Sequence, residues 1–155
     1  MKRAIFPGSF DPFTIGHESV VLRALELFDE IVIAIGINSE KKGFFTVENR
    51  IKFIEDVFKD KNRVSVKKYN KLTINFCKDE GINFILRGLR TASDFEYERA
   101  IAQMNRFMEN DIETVFLLTE TKHTPVSSTI LREILKYNGD VSKFIPKNTD
   151  IKKYL

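Results

Sequence analysis

Phe6-Pro7-Gly8-Ser9-Phe10-Asp11-Pro12-Phe13-Thr14-Ile15-Gly16-His17 joins an apolar run, Ala4-Ile5-Phe6, to an amphipathic pattern that begins at Glu18, and so reads as a strand-to-helix turn. A turn of this kind gathers free backbone N–H groups and the positive end of a helix dipole at the C-terminal edge of a sheet, where phosphate is the obvious guest. Gly8 and Gly16 let a ligand approach the main chain closely, and Pro7 and Pro12 stiffen the path between them. Ser9, Thr14 and His17 bring two hydroxyls and one imidazole toward one small volume. The helix dipole disfavours imidazolium whereas a bound polyphosphate favours it, so the sequence leaves the charge of His17 open. Standing alone, a Gly-His pair at a helix start is a turn glycine and a surface histidine; here it is embedded in a longer pattern.

Working outward, residues 2–6 form a buried strand, and 18–28 form a helix with Val20, Val21, Ala24, Leu25 and Phe28 on one stripe. The unbroken apolar run 31–37 suits a strand covered on both faces of a parallel sheet. The loop 38–45 then carries Lys41-Lys42-Gly43 at the sheet edge where open α/β folds bind ligands. Thr46 caps a helix over 47–59, with Val47, Ile51, Ile54 and Phe58 inward. Alternation over 63–69, with Val64 and Val66 on one side, indicates a strand near an edge. A shorter helix, 73–80, stops at Gly81. Its Cys77 has no helix N-terminus or clustered histidine beside it in sequence and reads as a structural thiol.

The strand 82–86 runs into Arg87-Gly88-Leu89-Arg90, two permanently charged planar forks suited to phosphate. Ser93 with Glu96 reads as a capping box opening a long helix with Ala100, Ile101, Met104 and Phe107 inward. A fifth strand spans 113–118, and Ser127-Ser128-Thr129 starts a last helix that Gly139 ends, a second anion cradle built on hydroxyls and free amides. The lysine-rich tail after Thr149 says little. Five strands alternating with helices predict an α/β, Rossmann-like, doubly wound parallel sheet with helices on both faces, in a single domain over residues 1–155.

The 25 basic and 22 acidic residues give a net charge of +3, a mixed surface suited to anionic small molecules rather than to a nucleic-acid stripe. The single cysteine excludes an intramolecular disulfide and fits a reducing compartment. No leader precedes Ile5 and no apolar run approaches membrane-spanning length, so a cytoplasmic protein without membrane or nucleic-acid partners is expected.

Gly-Ser-Phe-Asp-Pro-Phe-Thr-x-Gly-His over residues 8–17 resembles the nucleotidyltransferase signature, whose Thr-x-Gly-His tetrad is His-x-Gly-His elsewhere. Within that superfamily the chain resembles the bacterial phosphopantetheine adenylyltransferases. Arg87-Gly88-Leu89-Arg90 followed by Asp94-Phe95-Glu96-Tyr97-Glu98, Met104-Asn105, Ser127-Ser128-Thr129-x-x-Arg132 and Gly139-Asp140-Val141 continue the likeness. It covers the chain from Arg3 to about Pro146.

The resemblance implies transfer of an adenylyl group from ATP to 4'-phosphopantetheine, giving dephospho-CoA and pyrophosphate, by in-line attack of the acceptor phosphate. His17 would donate to the α-phosphate in the transition state. Lys41 would meet the attacking phosphate, and Arg90 with Ser127, Ser128 and Thr129 would hold the β- and γ-phosphates. Ser9, Lys41, Thr73 and Arg87 would contact phosphopantetheine. Ser9, Phe10, His17, Gly88, Leu89, Arg90, Glu98, His123, Thr124, Pro125, Val126, Ser127, Ser128 and Thr129 would line the ATP site. Thr73 departs from the apolar residue common there, and His123 stands where an aromatic is frequent. Magnesium is expected to accompany ATP, held by phosphates and water because no carboxylate cluster offers a protein-only site. A homohexamer, with the long helix meeting neighbouring subunits, and feedback inhibition by coenzyme A are further implications. A nucleotidyltransferase acting on nicotinamide mononucleotide, flavin mononucleotide or glycerol phosphate, and a non-catalytic nucleotide sensor, are the alternatives.

Overall fold

The signature turn lies at the centre of a five-stranded, all-parallel sheet; the computed structural model describes residues 1–155. Strand β1 (Arg3–Gly8) leads to helix α1 (Ile15–Ala24), β2 (Glu30–Gly36), α2 (Val47–Val57), β3 (Val64–Tyr69) and α3 (Thr73–Glu80). Then follow β4 (Phe84–Leu89), α4 (Ala92–Met108), β5 (Glu113–Leu118), a short 3-10 turn (Thr121–His123), α5 (Ser128–Lys136) and a second 3-10 turn (Ile151–Tyr154). The strands lie in the order β3-β2-β1-β4-β5, so the direction of winding reverses between β1 and β4. That reversal opens a crevice at the strand C-termini.

Strand alternation divides the core in two. Ala4 and Phe6 of β1 and Ile31, Ile33 and Ile35 of β2 pack under α1, α2 and α5, whereas Ile5, Val32 and Ala34 pack with Ile74, Phe76 and Cys77 of α3 on the opposite face. Both faces of β1 and β2 are therefore covered, which explains their unbroken apolar runs. β3 is an edge strand, as its alternation indicates, with Val64 and Val66 turned toward the first cluster. The tail is also anchored: Ile151 is buried, Tyr154 packs on Phe53, and the Tyr154 hydroxyl bonds Asp56.

Several expectations are corrected. Helix α1 starts at Ile15 rather than 18 and ends at Ala24 rather than 28, so Gly16 and His17 belong to its first turn. The fourth strand runs on through Arg87-Gly88-Leu89 because Arg87 and Gly88 stay in register with Phe116 and Leu117 of β5. α4 is capped by Thr91, whose side chain accepts the Asp94 N–H, and not by a Ser93 box. Ala100, Ile101, Met104 and Phe107 of that helix are exposed, and no residue of α4 is buried. The spacing signalled an apolar face, but within one chain nothing covers it. The last helix is turned out by Asn138 in a left-handed conformation (φ 57°), one residue before Gly139.

Candidate active site

Pairing between β1 and β4 is confined to Ala4↔Phe84 and Ile5↔Ile85, while β1 stays paired with β2 as far as Gly8↔Ile35. Beyond Ile5 the two central strands separate, and Arg87 donates Nη1 to the Pro7 carbonyl in the gap. Two adjoining cavities open there, of about 340 Å³ and about 270 Å³. Both are lined by Pro7, Gly8, Ser9, Arg87 and Glu98. Glu98 binds Arg87 in a two-pronged pair, Oε2 to Nε at 2.9 Å and Oε1 to Nη2 at 2.6 Å. That pair is the partition between the cavities. With three nitrogens engaged, Arg87 has a fixed orientation, and its charge is partly balanced before any ligand arrives.

The larger cavity collects the two helix N-termini. At α1, Thr14 and His17 form a reciprocal cap: the His17 N–H donates to Thr14 Oγ1 at 3.3 Å, and the Thr14 N–H donates to His17 Nδ1 at 3.0 Å. The Ile15 N–H is taken by the Phe144 carbonyl, which leaves Gly16 as the open amide of that turn. Nδ1 of His17 is thus an acceptor, so the ring proton resides on Nε2, the nitrogen left for the cavity. Phe10 and Phe13 hold the ring, with centroids 5.0 Å and 5.3 Å from it. Burial first, then the positive charges of Arg90 and Arg87, push its pKa from 6.5 down to about 3. The imidazole is neutral and a hydrogen-bond donor.

Phe10 reaches this position at a positive φ of 47°, with its ring under Gly8; a Cβ on Gly8 would stand 2.8 Å from the ring. Here the glycine permits a close approach, and Phe10 is 4 % exposed, so it offers a ligand its main chain rather than its ring face.

At α5, Ser127 caps by accepting the Ile130 N–H at 3.2 Å, Ser128 donates to the Pro12 carbonyl at 2.8 Å, and Thr129 accepts from Arg132 Nη2 at 3.2 Å. Three hydroxyls in a row therefore do three jobs: a cap, a brace to the signature turn and a hold on Arg132. The early amides of the helix remain as orphan donors beside the cavity. Arg90 lies at the rim, bonded from both its N–H and Nε to Asp94.

The larger cavity brings together Ser9, Phe10, His17, Arg87, Gly88, Arg90, Glu98, His123, Val126, Ser127, Ser128 and Thr129. Thr73 lines the smaller one, its hydroxyl 2.9 Å from that of Tyr69, alongside Tyr97, Ile101 and Asn105. Lys41 is exposed on the loop after β2 and lines neither cavity. Leu89 is buried, and Thr124 and Pro125 stand outside the cavity walls. Nδ1 of His123 is buried without a hydrogen-bond partner.

Thr119 lines the cavity without having been placed there by the sequence, and Arg132 lines it without having been given a role. Arg132 was within reach, since it closes the Ser-Ser-Thr-x-x-Arg run. No group of three His, Cys, Asp or Glu side chains is arranged to hold a metal, and Glu98 and Asp94 are already engaged by arginines. The residues present do not fit a protein-only magnesium site.

A family model for cytidylyltransferase-like proteins matches residues 5–134. Proteins named phosphopantetheine adenylyltransferase are similar along their whole length. That of Bacteroides fragilis is 53% identical over 151 residues, covering 97% of this chain and 100% of the relative. That of Flavobacterium johnsoniae is 52% identical over 99% of this chain and 100% of its own. That of Lachnoclostridium phytofermentans is 47% identical over 96% of this chain and 91% of its own.

Proposed function

The chain belongs to the phosphopantetheine adenylyltransferases of the cytidylyltransferase-like family, and on that footing we propose how it transfers the adenylyl group of ATP to 4'-phosphopantetheine. A phosphate oxygen of the acceptor attacks the α-phosphorus of ATP in line. The bond to the β-phosphate oxygen breaks, pyrophosphate leaves with the electron pair, and dephospho-CoA is formed. The acceptor phosphate is already ionised near neutral pH, so neither a protein nucleophile nor a strong base is needed, and alignment with charge stabilisation carries the rate. Cys77 suits no such role, being buried with its pKa pushed up to about 11.

The observation that supports this most is the neutral Nε2 donor of His17 at the junction of two helix N-termini, beside a second cavity across the Arg87–Glu98 partition. ATP occupies the larger cavity, with its β- and γ-phosphates toward Arg90, Arg132 and the start of α5. Phosphopantetheine runs through the smaller cavity past Thr73, with its phosphate at Ser9 and Arg87. Lys41 reaches the attacking phosphate from the loop after β2. Magnesium, carried on the ATP phosphates, supplies neutralisation of their charge.

The exposed apolar side chains of α4, Phe107 at 87 % and Met104 at 57 % among them, support assembly into a homohexamer through that helix. Coenzyme A shares the pantetheine arm and would inhibit by filling the smaller cavity. No helix is long and apolar enough to cross a membrane.

The test is to incubate the protein with ATP, magnesium and phosphopantetheine, with nicotinamide and flavin mononucleotides as parallel acceptors. Dephospho-CoA and pyrophosphate from the first mixture alone are expected. Product from another acceptor would move the substrate, and ATP bound without any product would mean a sensor.

A further inference from the structure

The most buried charged groups in the protein take no part in the chemistry above. Asp11 is 7 % exposed and Arg50 9 %. The Asp11 carboxylate accepts the backbone N–H of Phe44 on Oδ2 and of Phe45 on Oδ1, both at 2.8 Å. Arg50, on α2, lies 4.0 Å from Oδ1 and donates Nε to the Phe45 carbonyl at 3.1 Å and Nη1 to the Ser9 carbonyl at 2.8 Å. From the other side, Arg132 of α5 donates Nη1 to the Asp11 carbonyl at 2.8 Å.

Four segments are thereby fastened at one buried point: the turn that carries Ser9, the loop that carries Lys41, α2 through Arg50, and α5, the helix capped by Ser127. Gly43 is fitted into the same node. A Cβ there would stand 2.8 Å from both Arg50 Nη2 and the Phe45 carbonyl oxygen, and 3.2 Å from Asp11 Oδ2.

A buried ion pair gives little net stability compared with apolar packing, because desolvation offsets the attraction. What a hydrogen-bonded carboxylate supplies is direction, since its two oxygens fix two successive amides of the loop. Lys41 stands two residues before Gly43 and is exposed; its segment is tied to Asn38 by the Lys41 N–H on the Asn38 carbonyl at 3.3 Å and the Glu40 N–H on Asn38 Oδ1 at 2.9 Å, and on its far side to this node. Displacement of a reacting group by about 1 Å is enough to cost large factors in rate.

We infer that Asp11 is a positioning residue for Lys41: the buried Asp11–Arg50 node sets where the loop after β2 stands over the site, and so where the Lys41 ammonium meets the reacting phosphates. This rests on the role proposed above for Lys41. Asp11 itself touches no substrate.

The test is a double-mutant cycle of Asp11→Asn with Lys41→Ala, reading kcat at saturating substrates and the ATP Kd by calorimetry. Asp11→Asn keeps the shape and one acceptor oxygen but loses the charge and the second acceptor. Lys41→Ala is expected to lower kcat by about a hundredfold or more, on the order of the loss of one transition-state donor. Asp11→Asn alone is expected to lower it by about tenfold with the ATP Kd within about threefold, and the double variant to fall within about threefold of Lys41→Ala. Gly43→Ala, which crowds the node from the loop side and removes no charge, is run as a second cycle with the same expectation, so poor folding of one variant does not decide the outcome. Losses that multiply in both cycles, or wild-type turnover in Asp11→Asn, would overturn the inference while leaving Lys41 its role. Wild-type turnover in Lys41→Ala would overturn both.

Discussion

The backbone N–H of Thr14 donates to Nδ1 of His17 across 3.0 Å, and this bond decides which proton the imidazole can offer. Because Nδ1 is an acceptor, the ring is held as the Nε2–H tautomer, and its depressed pKa keeps it so through the neutral range. The side chain proposed to bind the nucleotide phosphates also caps its own helix, so fold and proposed chemistry share one contact.

The folded pKa of His17, about 3, lies below its ordinary value of 6.5. Between those values the unfolded chain binds a proton that the folded chain refuses, so stability falls as pH drops through that window and is unaffected above it. In urea melts of the ligand-free protein at pH 7, 6, 5 and 4, His17→Asn should therefore gain on the wild type progressively as pH falls. A constant difference across the series would mean that His17 is not held neutral.

Cys77 is buried and its pKa is raised by desolvation to about 11. At pH 8 it should resist a thiol reagent such as dithionitrobenzoate in the native state and react at once in denaturant. Fast stoichiometric labelling of the folded protein would place the thiol in a different environment.

Glu98 is implied by resemblance to line the ATP site, yet here it holds Arg87 through two bonds. Glu98→Gln should lower stability by about 1–3 kcal/mol, from denaturant midpoints, because a partly buried charge loses its partner. It should also raise KM for phosphopantetheine more than KM for ATP, through the released Arg87. The opposite order would assign Glu98 chiefly to the nucleotide.

Much of this was legible in the sequence, for identifiable reasons. α3 matches its expected span because Gly81, at φ 63°, takes the left-handed cap, and β5 matches because both its ends are marked by polar turns. Periodicity along α4 revealed an apolar stripe but could not say what covers it, and so placed Ile101 and Met104 inside. Hydrogen-bond register is a pairwise property, so the extension of β4 through Arg87 required knowledge of β5. Asp11 and Arg50 were passed over because single charges in a turn and on a helix read as solvated surface; the four-segment contact that buries them is invisible in one dimension.

Two glycines separate steric from conformational constraint. A Cβ on Gly139 would lie 2.5 Å from Ile134 Cγ2 and 3.0 Å from its carbonyl oxygen, whereas one on Gly81 would meet nothing within 4 Å but would sit at φ 63°. Gly81→Ala should cost about 1–2 kcal/mol, the left-handed penalty alone, and Gly139→Ala a similar or larger amount, about 1–3 kcal/mol, from overpacking. Thermal melts of the two variants check this, and a neutral Gly139→Ala would show that the turn after α5 yields freely.

The central claim is that His17 acts in the transition state as a neutral donor, and it is tested most directly by measuring kcat and the ATP Kd of His17→Ala side by side. Turnover should fall by about a hundred- to a thousandfold while the ATP Kd stays within about threefold of wild type, since a donor used mainly in the transition state is lost. Turnover within about threefold of wild type in a folded variant would contradict the account.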